Sequence, residues 1–182
     1  TVTNITSTKA DGTYRAGEVI PVTVVFNEVV NVTGTPILTL ETGDTDAVVN
    51  YSSGTGTNTL TFNYTLATGH SSNDLDYVAI NSFSLNNGSI NDSAGNNATL
   101  TLPEPGAANS LGANKDLIVD TASSFVTSVS STKENGTYKQ GNLIPINVTF
   151  NEVVNVTGIP HLTLETGESD AVVNYFTGSG TN

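Results

Sequence analysis

Ile20-Pro21-Val22-Thr23-Val24-Val25-Phe26 recurs 124 residues later as Ile144-Pro145-Ile146-Asn147-Val148-Thr149-Phe150. What changes between the two copies decides how the segment folds. Positions 20, 22, 24 and 26 stay apolar in both, whereas Thr23 becomes Asn147 and Val25 becomes Thr149. Alternate residues of an extended chain share a face, so this reads as a β-strand with Ile20, Val22, Val24 and Phe26 turned inward. The same period of two runs from Thr59 to Leu66 and places Leu60, Phe62, Tyr64 and Leu66 in the core. Leu38 and Leu40 follow it as well, and the outward Ile37 has become His161 in the second copy.

The duplication extends well beyond that strand. Residues 1–58 match 125–182 at 38 positions, with FNEVVNVTG at Phe26–Gly34 and again at Phe150–Gly158. A unit of this length has the size of an independently folding domain, so each copy is expected to own a core. The expected organisation is a complete domain over 1–120, a short linker at 121–124, and over 125–182 the N-terminal half of a second, homologous domain. Half of such a fold leaves an open apolar face and unpaired strand edges. Its completion is expected from a longer tandem array or from strands donated by a neighbouring chain.

Composition narrows the class. The 182 residues carry 5 Lys+Arg against 17 Asp+Glu, a net charge of −12, and no Cys, Met or Trp. A surface this acidic repels phosphate backbones and anionic lipid, which argues against nucleic acid as a partner. The lack of cysteine removes disulfide frameworks, thiol nucleophiles and Cys-based metal sites. No run approaches the roughly 18 apolar residues of a membrane span, so membrane insertion is not expected. With 29 Thr and 22 Asn supplying uncharged polarity, the chain suits strands and turns. The expected class is all-β.

Turn signals at Asp11-Gly12, Thr42-Gly43-Asp44 and Asn87-Gly88 divide the unit into strands near 2–8, 18–26, 35–42, 47–52, 59–67, 77–85 and 115–120, with a hairpin around 89–102. Short strands at that spacing predict a two-sheet antiparallel sandwich. Residues 103–114, PEPGAANSLGAN, show no periodicity and are expected to form a surface loop.

DGTYRAGEVIPVTVVFNEVVNVTGTPILTLETG, SSNDLDY, INDSAGNNATLTL and KDLIVDT together resemble the tandem Ig-like, cadherin-like repeats of large bacterial and archaeal cell-surface proteins and adhesins. The resemblance covers the whole unit and then restarts. It implies one complete and one partial Ig-like β-sandwich, an extracellular or cell-surface location, and a role as a spacer that calcium often stiffens.

Alternation of loops between the two ends of a sandwich would gather Asp11, Glu18, Asp44, Asp46, Asp74, Asp76, Asp116 and Asp120 at one pole. Two carboxylates about 5 Å apart repel by roughly 3 kcal/mol at an effective dielectric near 20, so such a cluster calls for a cation or generous hydration. Ca2+ accepts about 6 to 8 oxygens from carboxylates, amides, carbonyls and water. Asp74-Leu75-Asp76 and Asp44-Thr45-Asp46 each put two acids on one side of an extended segment. The near pole of the following repeat is expected to present Asn151 and Glu152 in the loop after its second strand, as Asn27 and Glu28 do in the first, and the resemblance adds that a linker acid, here Asp120, joins loops from both neighbours. The plain alternative is acidic loops worn for solubility. Neither an EF-hand loop nor a glycine-rich calcium repeat occurs, and Asp11 and Glu18 become Asn135 and Asn142 in the second copy.

Other chemistries find less support. His70 and His161 occupy non-equivalent positions, serines lack a nearby base, and an enzyme is not expected. Lys9, Lys115 and Lys133 lie near loops or strand ends, away from any inward position that would favour an isopeptide cross-link. Ten Asn-x-Ser/Thr sequons, among them Asn31, Asn63, Asn97 and Asn155, are what outward polar alternation produces, and glycosylation stays open. The expected function is a structural repeat of an extracellular stalk, fibre or surface filament. Its partners would be neighbouring copies of the same repeat, as a homopolymer or a longer array. The alternative is an adhesin module that binds a glycan or protein ligand through its loops.

Overall fold

The computed structural model describes residues 1–182. The chain is all-β apart from one helical turn, and it divides into two compact units, Thr1–Ala122 and Ser123–Asn182.

In the first unit the strands are β1 (Val2–Ser7), β2 (Gly12–Tyr14), β3 (Val19–Thr33), β4 (Ile37–Leu40), β5 (Ala47–Ser53), β6 (Thr57–Thr65), β7 (Ser71–Ser72), β8 (Phe83–Ser84), β9 (Ser89–Asp92) and β10 (Leu117–Asp120). A seven-stranded sheet runs β1-β3-β6-β5-β4-β8, with β9 on the far half of β3, and β2-β10-β7 form a second, three-stranded sheet. Register follows the apolar period: Val22 lies opposite Phe62 and Val24 opposite Leu60. A slip of one residue would turn both inward sets to solvent, so the pairing is strongly specified.

The large sheet is curled. In the strand order β8 stands three ladder steps from β6, about 14 Å on a flat sheet, yet the Phe83 and Phe62 rings meet edge-on at 5.5 Å between centroids. Phe83 also meets Phe26 of β3 at 6.3 Å. Part of the bend sits in β3, whose register with β6 breaks between Val25 and Val30 before its far half takes up β9. Leu117 and Val119 of the small sheet join the same buried cluster as Ile20, Val22, Val24, Leu60 and Phe62.

Three sequence expectations are corrected. Asn27 and Glu28 lie inside β3, not in a loop, because the strand bulges there and continues. The strand expected over 77–85 shrinks to Phe83–Ser84; Tyr77 makes only a single bridge to Leu40 while its hydroxyl donates to the Pro103 carbonyl at 2.7 Å. The loop 103–114 contains a one-turn helix, α1 (Leu111–Asn114), whose N-cap Ser110 accepts from the Ala113 N–H at 3.1 Å. Ser110 and Leu111 are completely buried, so this segment plugs the core. One apolar residue among polar ones carries no period to detect.

The second unit holds β11 (Val126–Ser130), β12 (Asn147–Phe150), β13 (His161–Leu164) and β14 (Ala171–Asn174). Its registers repeat those of the first unit at the sequence offset. Val126 opposes Phe150 and Val129 opposes Val148, as Val2 opposes Phe26 and Ile5 opposes Val24, and both pairs carry the same irregularity near their start. His161 opposes Asn174 as Ile37 opposes Asn50. Burial is not repeated: every buried apolar side chain of the chain lies between Ile5 and Val119. Of the expected inward set, Ile146 and Phe150 are half-buried, and Ile144 and Val148 are exposed.

Candidate functional site

The acids do not form one crowd; they fall into two groups at opposite ends of β10. The cause is β2, which pairs parallel with β10, Gly12 beside Leu117 and Tyr14 beside Val119. Asp11 therefore stands next to Asp116, while Asp120 is a strand length away, about 13 Å along the chain. Alternating loops between two poles gave no room for an extra strand between Asp11 and Glu18.

At the first end, Asp11 accepts from the Asp116 N–H at 3.3 Å and pairs with Lys115 Nζ at 2.6 Å. The lysine contact, then the Asp116 amide, holds its carboxyl below the usual carboxylate range. Leu75 is completely buried and its N–H donates to the Leu117 carbonyl, which fixes the 74–76 segment beside β10. Asp74 and Asp76, two apart, consequently share a side. Asp76 is 9% exposed; its Oδ1 accepts from the Tyr77 N–H and its Oδ2 from the Gly106 N–H, both at 2.9 Å. The Asp74 carboxyl is raised, first by burial and then by the like charges of Asp116 and Asp76.

Over this pair lies Gly112 of α1. A Cβ at that position would stand 3.1 Å from Asp76 Oδ2 and 3.2 Å from Asp74 Oδ2, so both oxygens face one point that a methyl would crowd and glycine leaves clear.

At the other end are Glu18, Asp44, Asp46 and Asp120. Ser71 pairs with Asp120 and its N–H donates to the Thr42 carbonyl, which gathers the loops. Glu18 accepts from the Arg15 N–H at 2.9 Å and sits 4.0 Å from Lys9 Nζ. Asp120 accepts from the Ala122 N–H at 3.2 Å, and Asp44 and Asp46 are exposed. His70 ties this end together. Its Nδ1 meets the Tyr64 hydroxyl at 2.8 Å, and its carbonyl accepts from the Thr121 hydroxyl at 2.7 Å. Burial pushes the Tyr64 phenol up to about 12.

Far from both, Glu28 borders a hollow of about 150 Å³ with Asn27, Asp92 and Asn96. The Asp92 carboxylate is spent on its own turn, accepting from the Asn96 side chain and the Asn96 and Ala94 N–H groups at 2.8 to 2.9 Å, contacts that lower its pKa with Asn96 foremost. Glu152 is half-buried in the second unit.

No family model, curated protein or solved structure matches the chain. The site must be read from its own chemistry. Nowhere do three or more His, Cys, Asp or Glu side chains converge in a metal-holding group. The Asp74–Asp76 pair over Gly112, with Asp116 close enough to perturb Asp74, offers oxygen donors alone and suits a hard, loosely coordinated cation better than zinc or copper. Asp116, Lys115 and Gly112 complete this corner, and the sequence signals only the first two, as a charge pair entering the last strand.

Proposed function

We propose that the chain is a structural repeat of an extracellular stalk, fibre or surface filament, built from Ig-like, cadherin-like sandwiches and serving as a spacer that calcium stabilises. The observation that carries this reading is the register repeat: β1–β3 and β11–β12 pair residue for residue at one offset, irregularity included. A chain that encodes one strand pattern twice is suited to extension by repetition. Within the first unit, Asp74 and Asp76 would hold the ion, with Asp116 and water or carbonyl oxygens completing its coordination. Calcium there would offset both the burial and the lesser like charge of Asp116 and Asp76 that raise Asp74.

The test is thermal unfolding of the 182-residue chain in EDTA and in calcium. For a Kd near 10⁻⁴ M, about 10 mM calcium stabilises the folded state by about 2.7 kcal/mol, several degrees in Tm. Gly112→Ala should abolish that rise, since its methyl would crowd the point both oxygens face, while leaving the Tm in EDTA within a few degrees. Asp74→Asn should abolish it too, and in EDTA at neutral pH should leave stability unchanged or slightly higher. A carboxyl raised in the folded state opposes folding above its folded pKa, and the opposition fades as pH falls toward 3.8. Identical Tm values with and without calcium, together with an unchanged maximum dimension in solution scattering, would remove calcium from the proposal.

A second reading, an adhesin for a glycan or protein, draws on an open groove of about 440 Å³ along β5 and β6 lined by Asp46, Asn50, Tyr51, Asn63 and His70. Glycan-array binding lost on Tyr51→Ala would favour it over the spacer.

A further inference from the structure

β5 and β6 are ladder neighbours for only part of their length. They pair at Tyr51–Phe62 and Ser53–Thr61, with an irregularity between the two, and nowhere else. Beyond that point each keeps a single partner, Ala47–Asn50 with β4 and Asn63–Thr65 with β3. The large sheet is therefore split, and the split is the open groove of about 440 Å³, lined by Asp46–Ser52 on one wall and by Asn63–Thr65 with His70 on the other. All of these residues belong to the first unit.

Alternation along each strand tells which backbone groups face the split, because every second residue of an antiparallel ladder bonds the same neighbour. The Tyr51 N–H donates to the Pro36 carbonyl beside β4. Ala47 and Val49 therefore turn to β4, and the N–H and C=O groups of Val48 and Asn50 turn to the split. The Leu66 N–H donates to the Glu18 carbonyl, so Tyr64 turns to β3, and Asn63 and Thr65 turn to the split. As that direction requires, the Asn63 N–H meets Ser52 Oγ across it at 3.2 Å. Val48 and Asn50 have no such partner, and Val48 is 60% exposed. Unpaired donors and acceptors at strand spacing are a template for another strand, and a glycan has no use for that spacing.

We propose that the Val48–Asn50 edge accepts an extended, basic peptide segment of a partner protein, antiparallel to β5. This rests on the adhesin reading above, giving it a protein ligand, and not on calcium. Charge complementarity names the partner: Asp46 lines the groove, Asp44 stands exposed two residues earlier, and no Lys or Arg lines it. The antiparallel sense puts the C-terminal end of the segment beside Asp46, where its Lys or Arg belongs. Residues opposite Val48 and Asn50 exchange the backbone bonds and point outward. Those between them turn in beside Ala47, Val49 and Tyr64, all buried, where a β-branched apolar side chain suits.

The probe is the synthetic peptide Thr-Val-Thr-Val-Thr-Lys-Lys, added to the full chain in EDTA, with amide exchange read residue by residue. The expected result is saturable slowing at Val48 and Asn50, with little change at Ala47 and Val49, whose N–H groups β4 already holds. The peptide N-methylated at its threonines, the set that bonds β5, should give no protection, and Glu in place of Lys should weaken binding about tenfold. Val48→Pro removes a groove-facing N–H without touching the β4 ladder and should abolish binding with an unchanged far-UV spectrum. Asp46→Lys, at an exposed position, should reverse the preference, so that the Glu peptide binds more tightly. Unchanged exchange at Val48 and Asn50 in excess peptide overturns the proposal, as does equal protection by the N-methylated peptide or by the Lys and Glu forms. Glycan binding lost on Tyr51→Ala, with no peptide protection, sinks this inference and leaves the adhesin reading standing; absence of both sinks both.

Discussion

Ile20→Ala is expected to lower the unfolding free energy of the first unit by about 2–5 kcal/mol, and Ile144→Ala to cost no more than about 0.5 kcal/mol. The two residues sit in the same local sequence, each between a branched residue and a proline. The residue type and the following proline are thereby held constant. What differs is the setting, since Ile20 lies inside β3 and Ile144 precedes β12. Ile20 is packed by β6, opposite Tyr64, in a cluster with Phe26, Phe62 and Phe83, and removing three carbons leaves a cavity that this aromatic set cannot collapse to fill. Ile144 is 42% exposed and loses little on truncation. Urea unfolding followed by far-UV circular dichroism would measure both, as a shift in midpoint at constant slope for the first and none for the second. Equal costs would mean that the second unit has a core of its own and would contradict the exposure pattern at Ile144, Val148 and Phe176.

That contrast also marks how far the sequence could be read. The inward sets of β3 and β6 were legible because both faces of a half-buried strand obey a period of two, and Ile20, Val22, Val24, Phe26, Leu60, Phe62, Tyr64 and Leu66 are all buried. The far half of β3 was not. Asn27 and Glu28 look like a turn, since a bulge exposes consecutive polar residues within a continuous strand, and only Val30 beyond them returns to the core. β2 and β7, of three and two residues, are too short to show any period. Their consequence for the acids was large, because the parallel β2–β10 pair is what parts Asp11 from Asp120. The pairing of Leu117–Val119 with β2 joins residues more than 100 positions apart, and no local pattern encodes it.

At the candidate site the i, i+2 spacing of Asp74 and Asp76 was legible as two acids on one side, with Leu75 driven inward between them. Their environments were not. Asp11 reads as a ligand, yet Lys115 lies 2.6 Å from it; Asp76 reads as a ligand too, yet its two oxygens accept from the Tyr77 and Gly106 N–H groups. A carboxylate's role is set by what reaches it from elsewhere in the chain, and burial of a charge is tolerated only where donors meet it.

Asp76→Ala is accordingly expected to cost about 3 kcal/mol with or without calcium. The carboxylate satisfies the Tyr77 and Gly106 N–H groups at 2.9 Å each, in a site where its own side chain excludes most solvent. Truncation strands both donors, and each charge-assisted bond lost at a protected position is worth about 1.5–3 kcal/mol, less whatever water recovers. Asp76→Asn should cost roughly half as much: its oxygen can still accept from Tyr77, but its NH2 then opposes the Gly106 N–H, donor against donor. Gly106 is the sensitive reporter, because it lies in the 103–109 segment that delivers Ser110 and Leu111 to the core. Its amide should exchange far faster in either variant, while amides of β3 and β6 change only by the global loss. Asp74→Asn provides the contrast, with calcium response lost and Gly106 exchange unchanged. If Asp76 served only as an ion ligand, Asp76→Asn in EDTA would match the parent chain in Tm and in Gly106 exchange, and the scaffold role assigned to it here would be wrong.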